Sequence, residues 1–336
     1  MLLVLIGHSS NAGLFSSNYV DFGILGKHGV YLFFVLSSYL LDRQIALNVM
    51  QNKADTRYWL NYLLRRFLRI YPLYLICLCV HFMMTKADIS YALNMNLKDV
   101  LRHLLLMDGK IYLWSIPVEF KYYLLSPIIM YFFHRILKWR LALILPTIAA
   151  LMWLSNYLYK YAYFHSGRIS LTDYLPIFLI GTTLAVLELL WIKNSKKTSL
   201  YILEIIGIAS LCYALTLNPY TYKLIWGIDK GRVFFEYKHI ELGVLWGLVL
   251  LGSKYGAGVL NYIFTFTAIR LLGLCSFSVY LFHIPVLRFV KHTELSNALK
   301  MPLFILLTLA IALISYLFIE KPLSKIKLTS ITNPKT

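Results

Sequence analysis

Apolar runs of about 20 residues, each bounded by charges, follow one another along almost the whole of this chain, and a run of that length is what a helix needs to cross a bilayer. Their approximate cores fall at 1–14, 28–48, 67–85, 117–136, 140–158, 172–192, 199–217, 239–253, 269–290 and 302–320. Lipid offers no partner for a backbone N–H or C=O, so such segments must satisfy their own hydrogen bonds as helices. The pattern therefore predicts an all-α, polytopic transmembrane bundle of about ten helices. The segment at 239–253 is the least secure, being short and followed by the glycine-rich GSKYGAGV.

Composition agrees. Hydrophobic residues make up 59% of the 336, against roughly 45–50% in a soluble domain, and the mean hydropathy is +0.66. No stretch remains for a water-soluble catalytic module, so any chemistry belongs to the bundle itself. Residues 1–325 read as one transmembrane domain and 326–336 as a cytoplasmic tail. The net charge of +18 does not point to nucleic acid, because the basic residues are scattered through short loops between apolar runs. Anionic lipid head groups, membrane topology and anionic substrates account for them better. Placing the loop before the third segment in the cytoplasm puts Arg43, Lys53, Arg57, Arg65, Arg66 and Arg69 there, with Arg135, Lys138, Arg140, Lys193, Lys196, Lys197 and the C-terminal tail. The expected location is the cell (inner) membrane with both termini cytoplasmic. Cys77, Cys79, Cys212 and Cys275 have neither metal nor disulfide spacing and read as small core residues.

Two features of the chain carry candidate chemistry. In YWLNYLLRRFLRIYPLYL three arginines precede a long uncharged run. Arg66 and Arg69 are three apart and share a helical face, so two guanidinium groups can meet one phosphate or carboxylate. Position alone favours their being topology anchors. His8, between MLLVLIG and SSNAG, places an ionisable ring inside or at the edge of the bilayer, where such groups are functional hypotheses by default. Met1–Gly7 supplies only about 10 Å of helix before it. With no basic leader or small-residue cleavage site, the sequence reads as beginning inside its first transmembrane helix, not as a signal peptide.

Further along, Ser37 and Ser38 follow FFVL, where small residues favour close helix packing. Asp88, Asp99, Arg102, His103, Asp108 and Lys110 form a polar stretch expected on the outer surface. In LWSIPVEFKYYLLSP, Ser115 can cap a helix with Pro117 in its first turn, and Glu119 falls where the helix dipole favours a carboxylate. A plain helix-end charge at Glu119 and an interfacial role for Trp114 fit the same spacing. His283 precedes Pro285 inside an apolar run, and Glu320 and Lys321 mark a helix end.

In combination, LLVLIGHSS, GVYLFFVLSSYLL, RRFLRIYPLY, WSIPVEFKYYLLSP, FSVYLFHIPV and FIEKPLS resemble, in order, the motifs of the acyltransferase family 3 membrane proteins, which O-acylate bacterial surface sugars. Two departures stand out: family members usually carry an arginine ahead of the first-helix histidine, upstream of Met1 here, and Ser37-Ser38 stands where many have Ser-Gly. Nothing resembles the SGNH hydrolase-like domain that some members carry, and there is no GxSxG, HExxH or P-loop.

The resemblance implies transfer of an acyl group, most often acetyl, from cytoplasmic acyl-CoA to a hydroxyl of a lipid-linked or cell-surface saccharide such as lipopolysaccharide, with no metal. It would have Arg66 and Arg69 hold the phosphates of the donor, acetyl-CoA or another acyl-CoA. His8 would be the general base, worth roughly 10²–10⁴ in rate, and Glu119 would orient that imidazole or hold the acceptor sugar. The partners implied are the lipid bilayer, acyl-CoA and a saccharide, with no nucleic acid. The alternative is a non-enzymatic transporter or exporter of an anionic glycan or lipid, but the internal repeat such proteins often show is not evident.

Overall fold

The computed structural model describes residues 1–14, 21–166, 170–190, 198–256 and 258–328. Lys193, Lys196 and Lys197, and the tail beyond Leu328, lie outside them.

The regular structure of the described residues is all helix, with no strand among them. In chain order the helices are α1 (Leu2–Asn11), α2 (Leu25–Met50), α3 (Thr56–Lys86), α4 (Leu97–Leu104), α5 (Ser115–Arg135), α6 (Leu141–Ser166), α7 (Leu171–Leu190), α8 (Thr198–Thr216), α9 (Pro219–Trp226), α10 (Arg232–Glu236), α11 (His239–Tyr255), α12 (Val259–Thr265), α13 (Thr267–Leu274), α14 (Ser276–Lys291) and α15 (Asn297–Ser315). A π-helical turn, Tyr316–Glu320, then leads into α16 (Lys321–Leu323). The polytopic helical bundle is as the hydropathy pattern predicts, and each expected apolar core lies wholly or largely in helix, including 239–253.

The spans differ from expectation in three ways. Five helices are long and apolar enough to cross a membrane, or up to eight if each bent pair counts as one span. The segment at 269–290 is a bent pair, with α13 and α14 meeting at 73°, and α9 turns 105° away from α8. A hydropathy window averages over such corners. The third expected segment extends well upstream, because Asp55 caps α3 by accepting from the Tyr58 amide at 2.7 Å. Arg65, Arg66 and Arg69 therefore lie inside a helix, not at its mouth.

Helix α2 is the central post, packed against α1, α5, α7 and α11. Glycine permits two close approaches to it. A Cβ on Gly181 of α7 would overlap Ser38 Oγ and the Val35 carbonyl, so Ser38 is the packing residue its size suggests. A Cβ on Gly7 of α1 would overlap the Gly26 backbone, which brings His8 against α2.

Polar clusters pin the same helices. The fully buried Asp42 of α2 accepts from Tyr122 (2.5 Å) and Ser126 of α5 and from Thr182 of α7 (2.6 Å). Buried Glu188 of α7 accepts from Arg43 Nε (2.8 Å), Lys254 Nζ of α11 (2.8 Å) and the Tyr39 hydroxyl. A carboxylate in an apolar bundle needs such donors, since an unpaired one would cost several kcal/mol. The polar stretch at 88–110 forms α4, closed by an Asn96–Asp99 capping box and by Lys110–Asp99 (2.7 Å) and Arg102–Asp108 (3.6 Å) ion pairs.

Candidate functional site

Three groups of side chains follow one another, the first at the surface where α2 meets α3 and the last beside α1 and α14. The first is an open pocket where the end of α2 meets the start of α3, lined by Gln44, Tyr58, Asn61, Tyr62, Arg65 and Arg66. The guanidinium of Arg66 lies over the rings of Tyr62 (5.7 Å) and Tyr123 (5.3 Å), and its buried Nε has no hydrogen-bond partner. The rings hold the charged group by cation–π attraction while leaving donors free. Tyr62 is itself fixed, its hydroxyl donating to the Tyr123 carbonyl at 2.6 Å.

The second group centres on Glu119, buried in α5. Its carboxylate accepts from Ser37 Oγ at 3.1 Å and from the Tyr123 hydroxyl one turn along. It also interacts electrostatically with Arg69 and Arg66, and Arg69 with Glu320 as well. Both predicted arginines thus share Glu119 as a counter-charge, while Arg66 alone of the two lines the first pocket. Ser37 thus reaches a carboxylate on another helix, whereas Ser38 donates to the Phe34 and Val35 carbonyls of its own.

Glu119 also lines a second, small and mostly apolar cavity between α1, α2, α5 and α14, walled by Val4, Gly29, Val30, Phe33, Ile116 and Phe277. Ser115 and Tyr280 supply its polar edge. Ser115 does not cap α5, as its sequence position suggests. The helix begins at Ser115 after Trp114 without a side-chain cap, and the Ser115 hydroxyl donates to Tyr280 at 2.7 Å, because α14 lies within reach.

One helical turn beyond this cavity lies the third group. His8 follows Val4 by four residues on α1, and His283 follows Tyr280 by three on α14, so each histidine shares a face with a cavity-lining residue. Their ring centroids are 4.9 Å apart. His8 also touches α2 where a Cβ on Gly26 would meet its ring at 3.7 Å. His283 is fully buried and Nδ1 lies 2.6 Å from the Tyr280 carbonyl. Among the described residues the hydrogen-bond partners of Glu119 are Ser37 and Tyr123, not His8.

Of the sequence-predicted residues, Arg66, Arg69 and Glu119 gather at one end of the apolar cavity and His8 at the other. Tyr58 and Asn61 precede Arg66 on α3 itself, whereas Gln44, on α2, joins them only when α2 and α3 pack. Asp42 was discoverable, as a carboxylate within an apolar run, but it is enclosed by hydroxyls and lines neither cavity.

Comparison with known proteins matches residues 1–320 to the acyltransferase family 3 profile, described as an acyltransferase domain. The chain is similar to "O-acetyltransferase OatA" of Staphylococcus aureus strains NCTC 8325 / PS 47, COL and MRSA252, at 24% identity over 332 residues. The match covers 89% of this chain and 53% of each relative, so the chain spans about half the length of the curated relatives it matches. No solved structure matches it.

Proposed function

The chain belongs to acyltransferase family 3, and from that premise we propose that this multi-pass membrane O-acyltransferase moves an acyl group, acetyl first, from cytoplasmic acyl-CoA to a hydroxyl of a cell-surface or lipid-linked saccharide. The observation that carries the reading is the order of the parts: arginine pocket, Glu119, apolar cavity, histidine pair. A CoA thioester has the same order of chemistry. Its phosphates would meet Arg66 and Arg65, whose forked donors suit phosphate oxygens. Its acyl end would point toward the apolar cavity, whose walls would shield the thioester from water.

His8 then acts on the acceptor. Its unprotonated ring nitrogen takes the hydroxyl proton as the oxygen attacks the thioester carbonyl, the C–S bond breaks, and the departing CoA thiolate takes that proton. Glu119 neutralises and steadies the arginines rather than the imidazole. With the α2–α3 end of the bundle in the cytoplasm of the inner membrane, donor and acceptor approach from opposite sides, and both termini are cytoplasmic.

Two measurements test this. Purified protein should release CoA thiol from acetyl-CoA, which an exporter of glycan or lipid would not do. Mass spectrometry of surface polysaccharide from cells with and without the gene should differ by one acyl group per modified sugar, and identical masses together with no CoA release would refute the reading.

A further inference from the structure

His283 is a buried imidazole whose two nitrogens have unequal surroundings. Nδ1 lies 2.6 Å from the carbonyl oxygen of Tyr280. A carbonyl only accepts, so Nδ1 carries the hydrogen, and in a neutral ring Nε2 is then the lone-pair nitrogen. That Nε2 is buried and has no hydrogen-bond partner. An unmet acceptor in an apolar interior is costly, which raises the question of which donor it awaits.

The neighbours narrow the answer. The Tyr112 ring lies 5.2 Å from His283, but its hydroxyl proton is committed to the Leu281 carbonyl at 2.9 Å. The Tyr280 hydroxyl donates to the Tyr112 carbonyl. The remaining ring is that of His8, at 4.9 Å between centroids and tilted by 52°. Of the three neighbouring rings, His8 is the one whose N–H makes no hydrogen bond among the described residues.

We propose that His283 is the positioning residue for His8, accepting one ring N–H so that the other nitrogen of His8 is held unprotonated and aimed at the acceptor hydroxyl. The inference rests on the reading of His8 as general base. The chain Tyr280 C=O, His283, His8 does for the base what a carboxylate does in a Ser-His-Asp triad: it fixes the tautomer and supports the imidazolium formed in the transition state. A neutral orienter suits this place, because a carboxylate there would be a buried charge needing donors of its own, as Asp42 and Glu188 have. Glu119 is the obvious carboxylate for the task, yet it is engaged with Ser37, Tyr123 and the arginines.

The test uses the full chain in detergent or proteoliposomes, with CoA release from acetyl-CoA as readout and with His8→Gln, His283→Leu and His283→Gln prepared in parallel. His283→Leu removes the acceptor and should lower kcat by about 10–100-fold, the usual effect of losing an outer orienting partner, while KM for acetyl-CoA stays as in the wild type. His283→Gln offers a carbonyl oxygen in place of Nε2 and should recover much of that loss. Wild-type kcat in His283→Leu, or equal loss in both variants when both remain folded, would overturn the proposal. Should His283→Leu not fold, nitrogen NMR of ¹⁵N-histidine-labelled wild type decides. A single tautomer at His8 supports the pairing, and an even mixture overturns it. The two claims separate cleanly, since an active His8→Gln removes the base itself, whereas an inactive His8→Gln beside an unaffected His283→Leu removes only its orienter.

Discussion

The guanidinium of Arg66 lies 5.3 Å from the centre of the Tyr123 ring, and the hydroxyl of that same tyrosine donates to Glu119. One aromatic side chain therefore links the arginine pocket to the apolar cavity. Arg66→Ala removes charge-assisted donors and should weaken CoA binding by roughly 10–100-fold, as 1.5–3 kcal/mol implies. Arg66→Lys should recover only part, since it keeps the charge and loses the planar fork. Calorimetry with CoA on normally inserted protein checks this, and unchanged affinity would return Arg66 to a topology anchor.

Glu119→Gln preserves shape and can still accept from Ser37 and Tyr123, but it leaves Arg69 and Arg66 without their shared counter-charge. Transfer should fall strongly while the melting temperature changes little. Glu119→Ala leaves two hydroxyls unmatched and should additionally cost about 1–3 kcal/mol of stability. Thermal unfolding beside CoA-release assays separates the two effects. A fully active Glu119→Gln would show that the carboxylate acts only as a hydrogen-bond acceptor.

Asp42 supplies the opposite signature. Asp42→Ala strips the acceptor from Tyr122, Ser126 and Thr182 at once and should destabilise the bundle by about 2–4 kcal/mol. Turnover per folded molecule should stay close to wild type. Loss of turnover at unchanged stability would place Asp42 in the site.

Outside the membrane-spanning helices, Arg232 holds the Asp21 carboxyl below its usual range through hydrogen bonds of 2.7 and 2.8 Å. A depressed carboxyl contributes stability that is present above its unfolded value of 3.8 and is lost as pH falls below it. The pair is largely exposed, so Asp21→Asn should cost less than about 1 kcal/mol at pH 7. That difference should vanish in acid, and melting curves at neutral and low pH read it.

Much of this architecture was legible in the chain. Length and apolarity determine that α2, α3, α7 and the others are helices, because lipid leaves no alternative. The corners at α8–α9 and α13–α14 were hidden, since hydropathy records whether a residue is apolar and not where a helix turns. Arg66, Arg69 and Glu119 were each picked out by motif resemblance, but their gathering was not: Glu119 was expected to orient His8 or hold the acceptor sugar, and it instead meets Ser37, Tyr123 and the arginines. Ser115 looks like a cap until α14 places Tyr280 within 2.7 Å. The pairing of His8 with His283 depends on α1 packing against α14, which no local pattern encodes.

His8 is the base on which the proposed transfer depends. Wild type, His8→Ala and His8→Gln should be compared in the same membranes for expression, insertion, CoA affinity and acyl transfer, because loss of folding would mimic loss of chemistry. Neither Ala nor Gln is a competent base, so transfer should fall by about 10²–10⁴ with the other three quantities near wild type. A His8→Gln protein that keeps most of its transfer rate would contradict the account and send the search for the base to His283 and Glu119.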